Sequence, residues 1–337
     1  MRYNNHHFGD FSSHFVSWKE MVIIMNEFIM HRHPANPLIK PEDFPVPADS
    51  VMNCGQAMYK GKTVLLVAAI YRGLVNGKKT GIHVAMSDDG INFEIDPNPL
   101  CSGTDFGGDY MFYDCWVIDP RLTQIGDEYY ICRPGQGAVG PCALLEKTTD
   151  FKTTEFLGCI ALPPNRVPCL FPEKIDGKYV RLDRPMFGSG KGCGEIWISY
   201  SPDMIHWGEH KPLLKPGFAP QFDFKIGPTV PVKTSKGWLE IIHGTWNTCA
   251  DTRYSIGAAL LDLNDPSKII GHCKSWILTP QADYELTGHV RDVCFPCGCL
   301  VDEEKDEIRI YYGASDEFVC LATGSVSELI DACIKGL

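Results

Sequence analysis

Apolar side chains recur at roughly helical intervals over residues 13–30, Ser-His-Phe-Val-Ser-Trp-Lys-Glu-Met-Val-Ile-Ile-Met-Asn-Glu-Phe-Ile-Met, behind a capping serine at Ser12 or Ser13. This spacing predicts one amphipathic helix. As an apolar appendage ahead of the main body, it is expected to offer a contact for self-association. From His33 onward the pattern changes to short apolar or aromatic runs, at 63–71, 128–132, 195–200, 238–243 and 308–313, separated by Gly, Asp, Asn and Pro. That is the texture of many short strands joined by turns, with clear helical segments nearly absent after residue 32.

The turns repeat. Ser87-Asp-Asp-Gly-Ile-Asn-Phe93, Thr148-Thr-Asp-Phe-Lys-Thr-Thr-Glu-Phe156 and Ser201-Pro-Asp-Met-Ile-His-Trp207 each join Ser or Thr, an Asp two residues on, and a downstream aromatic; Leu263-Asn-Asp-Pro266 is a degenerate fourth. The aspartates at 89, 150, 203 and 265 are spaced by roughly 50 to 60 residues, which suits one four-stranded propeller blade with long loops. Five such units fill the chain after the helix. The reading is therefore an all-β, five-bladed β-propeller over residues 33–337 with an N-terminal helical extension over residues 1–32. A flat β-sandwich fits so long a period poorly. Four similar turns cannot all be one active site, so the Ser-x-Asp elements are assigned to fixing hairpins through side-chain-to-backbone bonds.

Composition narrows the function classes. The 337 residues are 44% hydrophobic and 22% charged, ordinary for a globular chain with a substantial core, and the net charge of -11 argues against general affinity for nucleic acid or anionic membrane. Fifteen cysteines is an odd number, so complete internal pairing is impossible, and most sit singly in apolar stretches where a thiol acts as a small buried hydrophobe. Cys294, Cys297 and Cys299 approach a metal spacing but lack a second Cys or His pair, so no metal site is expected. Reduced thiols point to the cytoplasm. Met21-Val-Ile-Ile-Met25 is too short to span a membrane and lacks a basic leader, so no export signal is read.

Asp119, in Trp116-Val-Ile-Asp-Pro-Arg121, read alone is a turn aspartate before proline. It gains weight from an ordered set: Asp119-Pro-Arg121, Leu170-Phe-Pro-Glu-Lys-Ile-Asp-Gly-Lys-Tyr179, Arg184-Pro185, Ser201-Pro-Asp-Met-Ile-His-Trp-Gly208, Lys225-Ile-Gly227, Gly237-Trp-Leu239 and Tyr311-Tyr-Gly-Ala-Ser-Asp316. Running from about Asn53 to Asp316, this set resembles glycoside hydrolase family 130, mainly β-mannoside phosphorylases on a five-bladed β-propeller. The resemblance implies that Asp119 is the general acid, acting through the 3-hydroxyl of the mannosyl unit. It places Arg166, Arg184, Lys225, His243 and Tyr254 around phosphate, and Asn53, Arg121 and Asp316 on sugar hydroxyls. The chemistry suits those residue types: a proton donor needs burial or nearby negative charge, whereas phosphate is already an anion and needs forked or single donors rather than a base.

The implied reaction is inverting phosphorolysis, converting a β-mannosyl di- or oligosaccharide plus phosphate to α-mannose 1-phosphate and a shortened acceptor, with phosphate as co-substrate and no metal or organic cofactor. Two rivals differ in what they require. An inverting β-mannosidase would need a second carboxylate such as Glu173 to activate water; a carbohydrate-binding propeller would need no turnover. The chain departs from the family pattern at Ile118, where Glu is frequent, and at Ala68, where Arg is frequent, with Arg72 as the candidate substitute. Linkage and acceptor stay open.

Overall fold

A computed structural model describes residues 29–102, 116–137, 140–186, 194–217, 224–249 and 251–336. The chain enters with β1 (His31–Arg32) and then runs through successive antiparallel meanders. The first blade holds β2 (Ala48–Tyr59), β3 (Lys62–Val75), β4 (Lys78–Ser87) and β5 (Glu94–Ile95); the second holds β6 (Arg121–Ile125), β7 (Glu128–Gly137), β8 (Gly140–Thr148) and β9 (Glu155–Ala161). The third holds β10 (Asn165–Leu170), β11 (Tyr179–Pro185), β12 (Ile196–Ser201) and β13 (Gly208–Leu214). In the fourth, β14 (Lys225–Pro228) and the short β15 (Val232–Lys233) both pair with β16 (Trp238–Asn247), followed by β17 (Thr252–Leu261) and β18 (Ile269–His272). The fifth contains β19 (Cys294–Pro296), β20 (Leu300–Asp302), β21 (Glu307–Ala314) and β22 (Phe318–Gly324), with β1 as its outer strand. Five sheets among the described residues make the expected five-bladed propeller.

The run 63–70 explains why the blades read as nearly continuous apolar segments. Leu65, Val67 and Ala69 pack with Val51, Tyr311 and Leu321 of the first and fifth blades, whereas Val64 and Leu66 pack with Leu122 and Ile131 of the second. Alternate side chains of one strand therefore bury opposite faces, each fully buried Leu or Val contributing roughly 1.5–3 kcal/mol. Neither face of a blade is left for water, which is why the ring must close.

The repeated turns connect the third strand of a blade to its fourth. Asp89 Oδ1 accepts from the backbone N–H groups of Ile91 and Asn92 at 2.8 Å each, and Ser87 Oγ accepts from Gly90 N at 2.8 Å. Asp150 and Asp203 cap their turns in the same way. In the fourth blade Asp262 accepts from the N–H groups of Asn264 and Asp265, and Asp265 in turn accepts from Ser267 N at 3.2 Å. These aspartates are structural, as the repetition implies.

The last blade departs from expectation. After β22, Ser325 Oγ accepts from Glu328 N at 3.1 Å and starts a helix, Val326–Lys335, that closes at Gly336 in the left-handed conformation (φ 65°). The strand-rich texture after residue 32 does not single out this helix. Val326, Leu329, Ile330 and Cys333 form its buried face and fill the core between the fourth and fifth blades. Because this helix leads the chain away, the outer strand must come from elsewhere, and β1 supplies it, with His31 paired to Thr323 and Arg32 to Ala322. Residues 13–28 of the expected N-terminal helix, and its contact role, lie outside the described residues. Ile29 and Met30 form a bend, and Met30 is buried in the same core.

An ion pair locks this closure. Arg32 Nε and Nη2 donate to the two carboxylate oxygens of Glu285 at 2.8 Å each, and Nη2 also donates to the Thr279 carbonyl at 2.6 Å. The Glu285 side chain is fully buried and accepts further from Tyr312 Oη at 2.7 Å and Gln281 N at 2.7 Å. Burial alone would push its carboxyl up; Arg32 and these donors bring it below the ordinary value. Arg32→Met should cost about 3 kcal/mol, because it strands a buried carboxylate. Denaturant unfolding of the variant checks this, and a loss within the ordinary surface range of about 0.5 kcal/mol would contradict it.

Candidate active site

Three of the expected residues meet around one carboxylate. Asp119 lies just before β6 with φ 53°, 5% exposed, in a left-handed conformation that non-glycine residues seldom adopt. Asn53, in the irregular stretch of β2 with φ 45°, donates from Nδ2 to Asp119 Oδ1 at 2.8 Å. Arg121, fully buried at the start of β6, donates from Nη1 to the Asp119 carbonyl at 2.7 Å. Asp316 lies in the β21–β22 turn with φ 50° and also receives a hydrogen bond from Asn53. Burial and the charge of Asp119 push the Asp316 carboxyl up to about 7, against the pull of Asn53, Arg166 and Lys225. Two aspartates thus share one amide, and Asp316 is poised to hold a proton near neutrality.

The cations gather beside this pair. Arg166 on β10 and Arg184 on β11 are directly opposed cross-strand partners, an arrangement that is repulsive unless something anionic lies between. The register shifts just after Arg166, where Val167 takes φ 53°. A β-branched residue in that region is an outlier of the kind that collects at functional sites. Arg166 Nη2 donates to Gln136 Oε1 at 3.1 Å and stands 3.8 Å from Asp119 Oδ2. Its Nε is buried with no partner.

Lys225 on β14 completes the group. Lys225, Thr245 and Tyr254 form one row across β14, β16 and β17, and Lys225 Nζ donates to Tyr254 Oη. Burial first, then Arg184 and Arg166, push the Lys225 ammonium down to about 7, with Asp316 and Asp119 opposing. Burial and Arg166 bring Arg184 down to about 10. Three cations thus destabilise one another in a confined space.

His243 reaches the cluster through an arginine. Arg184 Nη1 is 2.8 Å from His243 Nε2; a guanidinium can only donate, so Nε2 accepts and the ring is neutral with its proton on Nδ1. Burial, then Arg184 and Arg121, hold its pKa well below the ordinary imidazole value. Two glycines make room for this pair. A Cβ on Gly227 would lie 2.3 Å from His243 Cε1, and one on Gly194 would lie 2.4 Å from Arg184 Cδ.

All nine residues singled out in the sequence are thereby linked by contacts or by mutual electrostatic influence. Two further residues escaped that reading. Phe295 lies 4.4 Å from the His243 ring, centroid to centroid, and 5.4 Å from the Arg121 guanidinium carbon. In the sequence it is hidden in a cysteine-rich run, Cys294-Phe-Pro-Cys297, that draws attention to its thiols. Those thiols, with that of Cys299, are free and buried. Gln136 is an unremarkable residue in Pro134-Gly-Gln-Gly137, late in a strand that also carries Glu128 and Arg133, and nothing local marks it out.

Two other expectations fall away from the site. Glu173, the alternative base, accepts from Lys233 Nζ at 2.6 Å with nearly half of its side chain exposed. Lys233 pairs with Trp238, at the opposite end of β16 from Thr245, roughly 20 Å from the Lys225 row at strand rise. Arg72 pairs with Asp49 at 2.7 Å on the surface, 71% exposed, and so does not replace an arginine at the site. Ala68 is fully buried opposite Met52, the residue before Asn53.

Comparison with known proteins converges on the same chemistry. A family model described as β-1,4-mannooligosaccharide phosphorylase matches residues 31–335. A β-1,4-mannooligosaccharide phosphorylase of Ruminococcus albus is 34% identical over 308 residues, 90% of each chain. A β-1,2-mannobiose phosphorylase of Listeria innocua is 39% identical over 256 residues, 74% of this chain and 67% of that one. The solved structure of the Listeria innocua β-1,2-mannobiose phosphorylase in complex with β-1,2-mannobiose matches with a TM-score of 0.78 at 30% identity, covering 90% of this chain and 99% of the other. The chain belongs to glycoside hydrolase family 130.

Proposed function

We propose that this protein is an inverting β-mannoside phosphorylase. The observation that carries the reading is the direct opposition of Arg166 and Arg184, joined by Lys225, next to a buried Asp119. An inverting hydrolase would require a carboxylate across the sugar from the acid. Here the second carboxylate, Asp316, shares Asn53 with Asp119, and the other charged groups gathered beside them are cations.

Phosphate lies among Arg166, Arg184 and Lys225, with Tyr254 completing its donors and neutral His243 holding Arg184 in place. One phosphate oxygen attacks the anomeric carbon from the face opposite the leaving sugar. The glycosidic bond breaks as the new carbon–oxygen bond forms, and the leaving oxygen takes a proton that originates on Asp119 and passes through the mannosyl 3-hydroxyl. Asn53, Arg121 and Asp316 satisfy sugar hydroxyls that would otherwise be desolvated without partners. The products are α-mannose 1-phosphate and an acceptor shortened by one mannose. Bound geometry supplies much of the acceleration by fixing the nucleophile in line. The reaction uses no metal or organic cofactor. We place it in a reducing, cytoplasmic setting on the strength of the buried free thiols, and assign self-association to the apolar residues 13–30. No helix among the described residues is long and apolar enough to cross a membrane.

Incubating a β-mannoside with and without phosphate tests the reaction directly: α-mannose 1-phosphate should form only with phosphate, and release of free mannose without it would exclude phosphorolysis. Asp119→Asn should lower kcat by about 100- to 10,000-fold, the usual worth of a positioned proton donor, with phosphate KM nearly unchanged. A variant retaining wild-type kcat would remove Asp119 as the acid.

The cluster also sets a pH dependence. Lys225 in the free enzyme loses its charge as pH rises through about 7, so phosphate KM should climb above neutrality. Lys225→Arg, charged throughout, should flatten that rise, and Lys225→Met should raise phosphate KM about 10- to 100-fold at pH 6. Steady-state kinetics across pH 5.5 to 9, about the range over which such groups titrate, would show either pattern. An unchanged slope in Lys225→Arg would remove the lysine as its source.

A further inference from the structure

Arg166 stands between two functions that make opposite demands. Phosphate binding needs its full positive charge, whereas a carboxylic acid that must donate a proton is held ionised by a guanidinium hydrogen-bonded to it. The geometry shows how the conflict is handled. Arg166 Nη2 donates to Gln136 Oε1 at 3.1 Å, and the same nitrogen is 3.8 Å from Asp119 Oδ2, beyond hydrogen-bond length. Gln136 sits late in β7, in the same blade as Asp119 and across from Pro141 of β8.

We propose that Gln136 is a positioning residue whose amide oxygen takes the Arg166 hydrogen that Asp119 would otherwise receive, keeping the phosphate-binding cation off the proton donor. This rests on the assignment of Asp119 and Arg166 made above. The residue type follows from the task. An apolar side chain would leave Nη2 to turn to the Asp119 carboxylate, 3.8 Å away. A carboxylate would accept equally well but would cancel one of the charges that phosphate needs. A neutral amide avoids both.

Other groups act on Asp119 as well. Arg121 lies on its own strand, Arg184 on β11, Lys225 on β14 and Tyr254 on β17, while Cys297 follows β19 and Asp316 lies in the β21–β22 turn. All remain in place in a Gln136 variant, so a difference between variant and wild type isolates Arg166.

The test is the pH profile of kcat with phosphate KM, after wild-type turnover has been shown to depend on phosphate; a phosphate-independent wild type would defeat the functional assignment before any variant is compared. Gln136→Met should move the alkaline limb about one unit lower, a roughly tenfold loss on that limb relative to the acid side, and raise phosphate KM several-fold. Gln136→Glu should leave the limb at or above its wild-type position while raising phosphate KM about tenfold. A merely structural amide would lower kcat evenly across pH. An unmoved limb in Gln136→Met, whatever happens to kcat, overturns the proposal. If that variant does not fold, wild-type phosphate KM in Gln136→Glu overturns it instead.

Discussion

Two guanidinium groups facing each other across a pair of strands, with an ammonium close by, set the terms for the rest of this molecule. Arg166 and Arg184 repel, and both depress Lys225. Left to local preference, such side chains would swing out to solvent, where water screens them. They cannot do so here because Arg184 is almost wholly buried, hydrogen-bonded to His243 and confined between Gly194 and Gly227. Lys225 is likewise tied to Tyr254. The repulsion is stored in the fold, and under the proposed assignment an entering phosphate would release it, favouring phosphate over water as nucleophile.

Holding repelling groups together requires a frame that does not yield, and the propeller supplies it through burial on both faces of every blade. The frame is only as rigid as its closure, and closure falls to a two-residue strand. Pairing of His31 and Arg32 with β22 would be weak alone. The Arg32–Glu285 pair, with Tyr312 and the Thr279 carbonyl, connects that strand to the connection between the last two blades. Phe295 on β19 touches His243 of the fourth blade, so the same blade junction that closes the ring also backs the cation cluster.

What the sequence reveals follows the range of the interactions involved. The hairpin turns are local: a Ser or Thr and an Asp two residues later satisfy the backbone within a few positions, so their repetition exposes the blade count. The fourth repeat shows the limit, because Asp262 accepts from the N–H groups two and three residues on while Asp265, picked out by the spacing, accepts from the one two residues on. The C-terminal helix carried readable signs in the Ser325 cap and the spacing of Val326, Leu329, Ile330 and Cys333, yet it interrupts a strand-rich texture at the point where the repeat should have supplied a fourth strand. Asp119 and the cations were recognisable as an ordered set of motifs. Gln136 and Phe295 were not, since each matters only through a neighbour brought from another blade. The same holds in reverse for Glu173 and Arg72, plausible by type and displaced by topology.

The electrostatics of the site also determine where the protein is least comfortable. Asp316 has its carboxyl raised to about 7, so from the ordinary carboxylate range up to that pH the folded chain keeps a proton that the unfolded chain releases, and stability falls as pH rises. Lys225 is lowered to about 7, so above that pH the folded chain has lost a proton that the unfolded chain keeps, and stability rises again toward the ordinary lysine range. The two contributions together are therefore most unfavourable near neutrality. Phosphate opposes the second, because an anion beside Lys225 favours its charged form. A sugar hydroxyl donating to Asp316 would similarly favour the carboxylate. Under the proposed assignment phosphate and sugar would each relax one of these two groups, so the free energy the fold gives up there would become available as binding selectivity for an anion and a polyol together.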